Sequence, residues 1–444
     1  MSNSLKLYSD FNTKRTQFVF ELIFEQLLGL KIELTPDLSS AHVAYTNASS
    51  SENSITIPVC SQLLNSHGTA PIKVTFCGTG QDTLLFPLET PPNNKWAFDL
   101  FAAVFYLVSR YEEYEGFEPD AHGRFQATQS ILYQTKSFEY PLINNWVNTL
   151  KKELTLRWPE FKFKAPAFRF ISTIDIDSTF QYKEKGILWT TKGLIKDLVA
   201  GNFEEVTERL KCLVNRQKDA FDVFEDLNTL HQTYNTELIY FFLLGNYSKF
   251  DKNISWKNKA QASRILSISK KHKIGIHPSY TSNSKTDQLP IEIDRLSQIT
   301  GVKPTLSRQH FLVHKYPDTY QKLIKNGIKQ DYTLGYTSHF GFRAGIASPF
   351  FFYDLSLEQT TDLLLYPFCS MDITPLHYGA LNPEQAIAKN AELLNRVKAV
   401  GGTFISLWHN ESLSGRLRWK GGWPLVYHAL IKHANNLTDP QPQP

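Results

Sequence analysis

The sequence predicts an α/β protein made of two domains, a smaller mixed α/β unit followed by a larger set of parallel β-α units. The chain has 444 residues, whereas a single domain usually has about 150. Hydrophobic residues make up 42 % and aromatic residues 13 % of the chain, which is ample for packed cores. In the second part, apolar runs alternate with helix-like segments. Such alternation is typical of parallel sheets covered by helices.

The first domain is predicted over residues 1–160. Two stretches in it space their apolar residues as a helix does, from Thr13 to Leu30 and from Lys95 to Tyr114. Strand-like runs surround them, at LKLY, KIEL, HVAYT, SITIPV, IKVTF and TLLFPL. Neither helix carries residues of obvious chemical function, so this domain is expected to be accessory.

A polar, glycine-bearing loop is predicted at residues 113–125, directly after the second helix. It contains Asp120, His122 and Arg124, which are residue types that could line a site. Charged side chains in a turn-rich connection commonly pair with one another in solvent. We therefore expect a solvated, ion-paired loop here.

The second domain is predicted over residues 161–444. Two prolines in RWPEFKFKAPA, residues 157–167, indicate a linker that leads into a new strand. The strand-like runs are FRFISTID (168–175), LIYFFLLG (238–245), KIGIH (273–277), TLSRQHFLV (305–313), QDYTLGY (330–336), LLLYPF (363–368) and TFISLWH (403–409). Helix-like segments separate most of them, at residues 219–234, 257–272, 290–300 and 383–400. An open wound sheet and a barrel of about seven or eight strands both agree with this order.

Composition and charge exclude several classes of protein. The formal net charge of +4 is too small for electrostatic attraction to dominate binding to nucleic acid. The sequence has no GxGxxG and no GxxxxGK[ST], which argues against a nucleotide-binding version of the fold. The longest apolar run, Leu100 to Val108, is too short to cross a bilayer of about 30 Å. We expect a cytoplasmic protein.

The four cysteines fit neither a zinc ribbon nor a disulfide scaffold. They are far apart and form no CxxC pair. A reducing compartment agrees with this usage. The cysteines are Cys60, Cys77, Cys212 and Cys369.

Two carboxylates follow the first apolar run of the second domain, at the strand end where an α/β fold gathers its active site. The i, i+2 spacing of Asp175 and Asp177 places both on one face of a strand, about 6 to 7 Å apart. Two like charges at this distance need a cation or a shared proton. The hydrophobic run before them favours a buried site for the two carboxylates over an exposed strand end.

Histidine and arginine side chains occur in the later runs. His277 ends the third run and His409 ends the last, at the same predicted edge as the two acids. Arg308 and His310 are two residues apart in the fourth run, so we expect them on one face of a strand. Carboxylates, imidazoles and a guanidinium that converge on one edge predict a cation site with acid and base groups beside it.

The order of these elements resembles the NodB-type polysaccharide deacetylases, carbohydrate esterase family four, over about residues 168–415. The shared elements are DID on the first strand, GIHPS, an arginine-bearing strand and LWH on the last. The resemblance implies a distorted seven-stranded β/α barrel and a divalent metal, expected to be zinc. It also implies roles for single residues: Asp175 as catalytic base, Asp177 as metal ligand, His277 as first histidine ligand, Arg308 as the residue that orients the base, and His409 as general acid.

One position departs from the pattern of that family. Its histidine element is usually H-[ST]-x-x-H, whereas HPSYT at residues 277–281 has Thr281 where the second histidine is expected. Threonine is a poor zinc ligand. The arginine element of the family usually continues with proline, and His310 stands at that place here. We therefore predict that His310 replaces the missing ligand.

Four further side chains are predicted to contact substrate. Arg343 and His339 lie in a polar, glycine-bearing connection that is suited to cover a pocket, with pairing to nearby acids as the alternative. Asp372 follows the LLLYPF run, where it could reach the mouth or cap a helix. Trp408 is one of several aromatic residues suited to stacking on sugar rings, with a place in the core as the alternative.

The sequence thus predicts a metal-dependent hydrolase that removes acetyl groups from an N-acetylated sugar or a related amide. Its expected partner is a carbohydrate, with no nucleic acid and no membrane span. A carbohydrate-binding or scaffolding protein that kept the barrel and lost the metal is the alternative, motivated by Thr281.

A glycosidase that uses Asp175 and Asp177 is a second enzymatic alternative. The estimated separation of the two acids overlaps the carboxylate spacing of inverting enzymes, about 6.5 to 9.5 Å. Two acids on one strand do not flank a substrate from opposite faces, so the sequence favours the hydrolase of amides.

Overall fold

The computed structural model describes residues 3–48, 54–89, 96–165, 167–285 and 287–438. Within these ranges the chain forms three β-sheets, of four, two and nine strands. Lys95, the predicted start of the second helix, and Pro166 of the predicted linker lie outside them. The α-helices are α1 (Lys14–Phe20), α2 (Leu100–Val108), α3 (Ile131–Gln134), α4 (Leu142–Arg157), α5 (Ile187–Val199), α6 (Phe203–Leu213), α7 (Phe224–Thr233), α8 (Lys259–Ser269), α9 (Gln288–Thr300), α10 (Asp318–Lys325), α11 (Pro383–Ala399) and α12 (Trp423–Leu437).

The first part of the chain forms a small parallel sheet with helices packed on it. Its strands are β1 (Ser4–Ser9), β2 (Lys31–Leu34), β3 (Val43–Tyr45) and β4 (Ile55–Ile57), in the spatial order β2-β1-β3-β4. A short antiparallel pair follows, β5 (Phe76–Cys77) and β6 (Leu84–Leu85). The rings of Phe20 and Phe101 join α1 to α2, with their centroids 4.9 Å apart. This is a mixed α/β unit, and each of its strands overlaps one of the predicted runs.

The rest of the chain is organised around a nine-stranded sheet. Its strands are β7 (Arg169–Ile176), β8 (Glu237–Phe242), β9 (Lys273–Ile276), β10 (Leu306–Ser307), β11 (Gln330–Asp331), β12 (Phe350–Asp354), β13 (Gln359–Leu365), β14 (Ser370–Met371) and β15 (Thr403–His409). The spatial order is β12-β13-β11-β10-β9-β8-β7-β15-β14. All neighbours are parallel except β12 and β13.

The described part of this sheet shows no closure into a barrel, so the predicted seven-stranded barrel is not confirmed. Among the described residues no hydrogen-bonded pair joins β12 to β14. The hairpin of β12 and β13 occupies one end of the sheet and packs against the first part of the chain. The ring of Tyr353 in β12 lies 5.0 Å from that of Phe18 and 5.2 Å from that of Phe105. Helices α1 and α2 therefore cover this edge strand.

Side chains alternate between the two faces of the long central strands. On one face, Phe170, Tyr240 and Phe404 join the main hydrophobic core, which also includes residues of the first part of the chain. On the other face, Ile171 and Ile405 belong to a smaller apolar cluster. The candidate site lies on this second face, at the carboxyl ends of the strands. No described helix combines the length and hydropathy of a membrane span.

Candidate active site

The buried carboxylate of Asp175 lies near the end of β7, beside the guanidinium of Arg308. Arg308 Nη1 donates to Asp175 Oδ1 over 3.0 Å and to Thr173 Oγ1 over 2.6 Å. Thr173 and Asp175 face the same side because they are two residues apart on a strand. Arg308 Nε donates to the carbonyl of Tyr332 over 2.9 Å. Three acceptors thus fix the guanidinium, which in turn holds one oxygen of Asp175.

Asp177, His277 and His310 form a group of three side chains that could hold a metal ion. One ligand atom from each lies within 4.8 Å of the others. His277 Nε2 lies 3.4 Å from Asp177 Oδ1, and His310 Nε2 lies 3.5 Å from Asp177 Oδ2. The sequence prediction named these three residues as ligands, and the fold brings them together.

The second nitrogen of each imidazole is held by an acceptor of the protein. His277 Nδ1 lies 2.5 Å from the carbonyl oxygen of Arg308. His310 Nδ1 lies 2.9 Å from Asp251 Oδ1. Acceptors at Nδ1 fix the tautomer and the ring orientation, as they do in metal sites generally. Both Nε2 atoms are therefore directed toward Asp177.

Thr281, at the position where the sequence pattern led us to expect a second histidine, contacts the carboxylate that holds His310. Its hydroxyl donates to Asp251 Oδ2 over 2.8 Å, and its backbone N–H donates to the same oxygen over 3.2 Å. The backbone N–H of Tyr280 donates to Asp251 Oδ1 over 2.7 Å. The departure from the family pattern at Thr281 is thus coupled through Asp251 to the imidazole of His310.

The charges around this group favour positive charge at its centre. Burial opposes protonation of His310, but Asp177 and Asp251 outweigh burial and raise the pKa of His310 to about 9. Burial would raise the pKa of Asp251, but hydrogen bonds, that of His310 first, lower it to about 2. Burial acts on Asp177 in the same direction, yet the neighbouring histidines, with His310 the strongest, lower its pKa well below the ordinary range.

One oxygen of Asp177 is buried without a hydrogen-bond partner in the described part of the chain, namely Oδ1. An orphaned buried carboxylate oxygen is costly unless something else satisfies it. Two imidazoles and one carboxylate form a donor set that suits Zn²⁺ with an open coordination position. The residues present therefore fit a divalent cation.

His409 ends β15 and is the register partner of Asp175 on the neighbouring strand. Its backbone N–H donates to Asp372 Oδ2 over 2.8 Å, and its Nδ1 lies 3.0 Å from the same oxygen. Burial opposes protonation of His409, but Asp372 outweighs burial and raises the pKa of His409 to about 10. The imidazole is therefore protonated at neutral pH and can donate a proton.

Two predicted substrate contacts need correction. Asp372 is fully buried and its carboxylate accepts from the backbone N–H of His409, so it is not exposed to a substrate. Trp408 precedes His409 and faces the other side of β15. Its indole is 1 % exposed and packs on Tyr427 of α12, with ring centroids 5.0 Å apart. The faces of this indole are covered by the core and offer no platform to a sugar ring.

Arg343 and His339 line a cavity of about 260 Å³ beside the site. Arg343 Nη2 donates to Glu113 Oε2 over 2.6 Å and its Nη1 to the carbonyl of Gly335 over 3.1 Å. These groups are buried, so Arg343 shapes the wall of the cavity. His339 is half-buried, and its Nδ1 lies 2.8 Å from Ser338 Oγ.

The polar loop that follows α2 forms another wall of this cavity. Arg124 and Asp120 form the expected ion pair, 2.7 Å apart, and both line the cavity. Arg124 Nη1 also donates to the carbonyl of Phe311 over 2.8 Å. The rings of His122 and Phe311 lie 4.9 Å apart, and Phe311 directly follows His310. The loop is ion-paired as expected, but it is packed beside the site instead of standing in solvent.

Arg308 and His310 do not share a strand face, contrary to the prediction. β10 ends at Ser307, and His310 begins a 3₁₀ turn. A turn in place of an extended strand rotates successive side chains by about 120°. Arg308 consequently contacts Asp175, while His310 contacts Asp177.

Asp251 is the member of the site that sequence analysis did not identify. It is fully buried, yet it lies in the long connection after β8, well beyond the apolar run that marks the strand. The one available signal is that this connection leaves the same edge of the sheet as the two acids. Its pairing with His310 depends on the path of the loop.

Comparison with known proteins gives limited matches. A family of unknown function, DUF7033, matches residues 5–159. No curated protein matches the chain. The fold is similar to a candidate polysaccharide deacetylase of Mycobacterium smegmatis, at 16 % identity and a TM-score of 0.39, over 61 % of this chain and 85 % of that one.

Two further solved structures match about the same fraction of this chain. A polysaccharide deacetylase of Bacillus cereus matches at 12 % identity and a TM-score of 0.29, over 60 % of this chain and 87 % of that one. A GH57 branching enzyme of Thermococcus kodakaraensis matches at 8 % identity and a TM-score of 0.34, over 61 % of this chain and 69 % of that one.

Proposed function

We propose that the chain is a metal-dependent hydrolase that removes acetyl groups from an N-acetylated sugar or a related amide. One observation carries the proposal: the group of Asp177, His277 and His310 lies beside a held carboxylate, Asp175, and a protonated imidazole, His409. Amide hydrolysis needs an electrophile, a base and an acid at one place. The motif resemblance to NodB-type deacetylases supports the same chemistry.

Asp177, His277 and His310 would hold the divalent cation, with zinc as the proposed metal. A cation bound there would polarise the amide carbonyl and lower the pKa of a bound water. The unpartnered Asp177 Oδ1 and the orientation of both Nε2 atoms support this ligand set. The alternative of a metal-free binding protein was motivated by Thr281. The defined contact of Thr281 with Asp251 weighs against that alternative.

Asp175 is the proposed proton acceptor. Its Oδ1 is held by Arg308, whereas its Oδ2 lies 3.7 Å from His277 Nε2, on the side of the ligand group. This second oxygen is the one that would accept a proton from the attacking water. Arg308 is proposed as a positioning residue, because it fixes the carboxylate without facing the ligand group.

His409 is the proposed proton donor to the departing amine. An amine leaves poorly unless it is protonated, so the donor must be charged when the amide bond breaks. Asp372 keeps the imidazole protonated and fixes its Nδ1, which leaves Nε2 to meet the substrate. The cavity beside the site would take the remainder of the sugar.

We also infer that residues 1–160 and 161–444 are two domains. The division is supported by the separate sheets on either side of it. The first domain would then cover the edge strand β12 of the second domain. Its loop with Arg124 would form part of the cavity wall.

Release of acetate from N-acetylated sugar oligomers tests the proposed function. Protein loaded with Zn²⁺ is expected to release acetate, and Asp175→Asn is expected to keep the metal and lose about 10²- to 10⁴-fold in rate. Asp362→Asn, at an exposed carboxylate, is the matched control and should behave as wild type. Tight binding of the oligomers without acetate release would favour the binding-protein alternative.

A further inference from the structure

Two helices inserted after β7 expose an unusually apolar surface. None of the residues of α5 is buried. Large apolar side chains of α5 and of the start of α6 stand in solvent, and we name them the apolar patch: Ile187, Leu188, Ile195, Leu198, Val199 and Phe203. Soluble proteins rarely expose such groups contiguously, and larger patches mark interaction sites.

The apolar side chains of α5 occupy one side of the helix. At 100° per residue, Leu188, Ile195, Leu198 and Val199 fall within an arc of about 100°. Leu188 is 72 % and Val199 is 85 % exposed. This arc faces away from the protein.

The opposite side of α5 packs on α6 through polar and small residues. Asp197 pairs with Arg209 over 2.6 Å. A Cβ atom at Gly193 would lie 2.7 Å from Arg209 Nη1, so glycine permits the close approach of the guanidinium. The polar side of α5 is therefore turned to the protein and the apolar side to solvent. This orientation is the reverse of that of an ordinary surface helix.

Lysine side chains border the apolar arc. Lys192 and Lys196 lie next to one side of this arc around the helix axis. The ammonium of Lys192 lies 5.0 Å from the centre of the Trp189 ring. In the described part of the chain neither lysine forms an ion pair with a carboxylate. The three acids of α6 are engaged elsewhere. Glu204 pairs with Lys420 over 2.6 Å and Glu208 with Arg416 over 2.7 Å, while Glu205 accepts from the hydroxyl of Tyr182. The border thus offers positive charge without a partner.

We propose that α5 and the start of α6 dock the protein on an anionic lipid surface, with α5 lying in the plane of the interface. An apolar arc flanked by lysines and a tryptophan is the pattern of interfacial helices. At 1.5 Å per residue α5 is about 20 Å long, a length suited to lying in the headgroup region. The apolar side chains enter the acyl boundary, while Lys192 and Lys196 meet the phosphates.

The lysine border favours a lipid surface over a second copy of the chain. A symmetric dimer would place the same patch on both subunits, so each lysine border would approach another lysine border or apolar side chains. Like charges at such an interface are unfavourable. An anionic surface instead matches both the apolar arc and its charged rim.

The apolar patch lies at the same edge of the sheet as the candidate site. The ring of Trp189 lies 5.0 Å from that of Tyr247, which belongs to the connection after β8. That connection also carries Asp251. Docking through α5 would therefore hold this connection near the lipid surface. The docking proposal stands on residues outside the site and does not depend on the proposed hydrolase chemistry.

Co-sedimentation with lipid vesicles tests the proposal on the full chain. Wild type is expected to bind vesicles of phosphatidylcholine mixed with phosphatidylglycerol and to stay in solution with phosphatidylcholine alone. Leu188→Ser with Val199→Ser should abolish binding. Lys192→Glu with Lys196→Glu should weaken it about tenfold or more. Each substituted side chain is exposed, and circular dichroism checks that the variants fold.

Matched controls use exposed apolar residues away from the patch. Leu156→Ser and Val302→Ser remove side chains that are 77 % and 70 % exposed, and both should bind as wild type. No binding of wild type to the anionic vesicles would overturn the proposal. The proposal would also be overturned, in favour of a second copy, by another result. In that result the wild type sediments as a dimer and does not bind vesicles, and Leu188→Ser with Val199→Ser dissociates the dimer. Metal content of the same samples reports separately on the active site.

Discussion

The imidazole of His310 lies between two carboxylates. Its Nδ1 is 2.9 Å from Asp251 and its Nε2 is 3.5 Å from Asp177. Asp251 is itself fixed by Thr281 and by backbone N–H groups. At the scale of single residues, the orientation of the proposed ligand His310 therefore depends on a carboxylate that is not itself a proposed ligand.

Replacing Asp251 by asparagine should weaken metal binding about 10- to 100-fold, because the variant loses the charge that orients His310 and makes it a stronger donor. Calorimetric titration of Zn²⁺ into metal-free protein measures the effect. Asp222→Asn, which removes an ion pair with Arg264 and no contact of the three proposed ligands, is the matched control. Equal affinities in the wild type and in Asp251→Asn would show that His310 needs no such partner or is no ligand.

Replacing Asp372 by asparagine should lower the pKa of His409 from about 10 toward its ordinary value, because the imidazolium loses its nearest negative charge. NMR titration of the histidine resonances in metal-free protein measures the shift. A raised histidine pKa stabilises the fold below the unfolded value, about 6.5, and this contribution is lost as the pH rises through about 10. The stability difference between wild type and Asp372→Asn should follow the same window. An unchanged pKa in the variant would assign the shift to other groups.

Strand ends explain which residues of the site were predictable. Asp175, His277 and His409 each close a long or sharply bounded apolar run, so the sheet places them at one edge. Asp251 and Arg124 enter from loops, and no periodicity reports where a loop returns. The burial of Trp408 follows from alternation along β15, since His409 already occupies the other face.

At the scale of elements, α11 supports β15 from the main core and begins with a complete capping box. Asn382 accepts from the backbone N–H of Gln385 over 2.9 Å, and the Gln385 side chain accepts from the backbone N–H of Asn382 over 3.0 Å. Pro383 stands at the first helical position, where its missing N–H costs nothing. Leu393 and Val397 then bury the face of α11 that packs inward.

Replacing Asn382 by alanine should lower the free energy of unfolding by about 1 kcal/mol, because a helix N–H loses its acceptor. Chemical denaturation measures the loss. Asn382→Asp keeps a capping oxygen and should stay within a few tenths of a kcal/mol of the wild type. A full-size loss in both variants would locate the effect in packing instead of the cap.

The length of an element decided how well the sequence predicted it. The run TFISLWH coincides with β15, and the helix predicted at residues 383–400 ends one residue beyond α11. β10 and β11 have two residues each, although the apolar runs that predict them are much longer. After each of these short strands the chain leaves the sheet and enters turns. These turns contain His310 and residues that line the cavity. α5 was not predicted, although its apolar residues recur at helical spacing.

At the scale of the whole molecule, a buried charge network joins the two parts of the chain. Glu113 Oε1 accepts from Arg110 Nε over 2.8 Å, and Glu113 Oε2 accepts from Arg343 Nη2 over 2.6 Å. Burial would raise the pKa of Glu113, but Arg343 and Arg110 outweigh burial and lower it to about 2. Arg343 lines the cavity beside the site, so the network couples the assembly of the two parts to the shape of that cavity.

Replacing Glu113 by glutamine should lower the free energy of unfolding at neutral pH by about 3 to 5 kcal/mol, because two buried guanidinium groups lose their shared carboxylate. A depressed carboxyl pKa stabilises the fold above the unfolded value of 4.5, and this contribution disappears as the pH falls toward about 2. The difference between wild type and Glu113→Gln should therefore shrink across that window. Asp362→Asn, at an exposed pair, is the control and should change little. A difference that is constant with pH would show that the loss is steric.

The metal content of the purified protein is the direct test of the proposed ligand group. We expect about one divalent ion per chain in the wild type, and its loss in both Asp177→Ala and His310→Ala. Loss in Asp177→Ala alone would keep the site and reject His310 as the replacement ligand. A wild-type protein that binds no metal under any loading condition would contradict the proposed hydrolase.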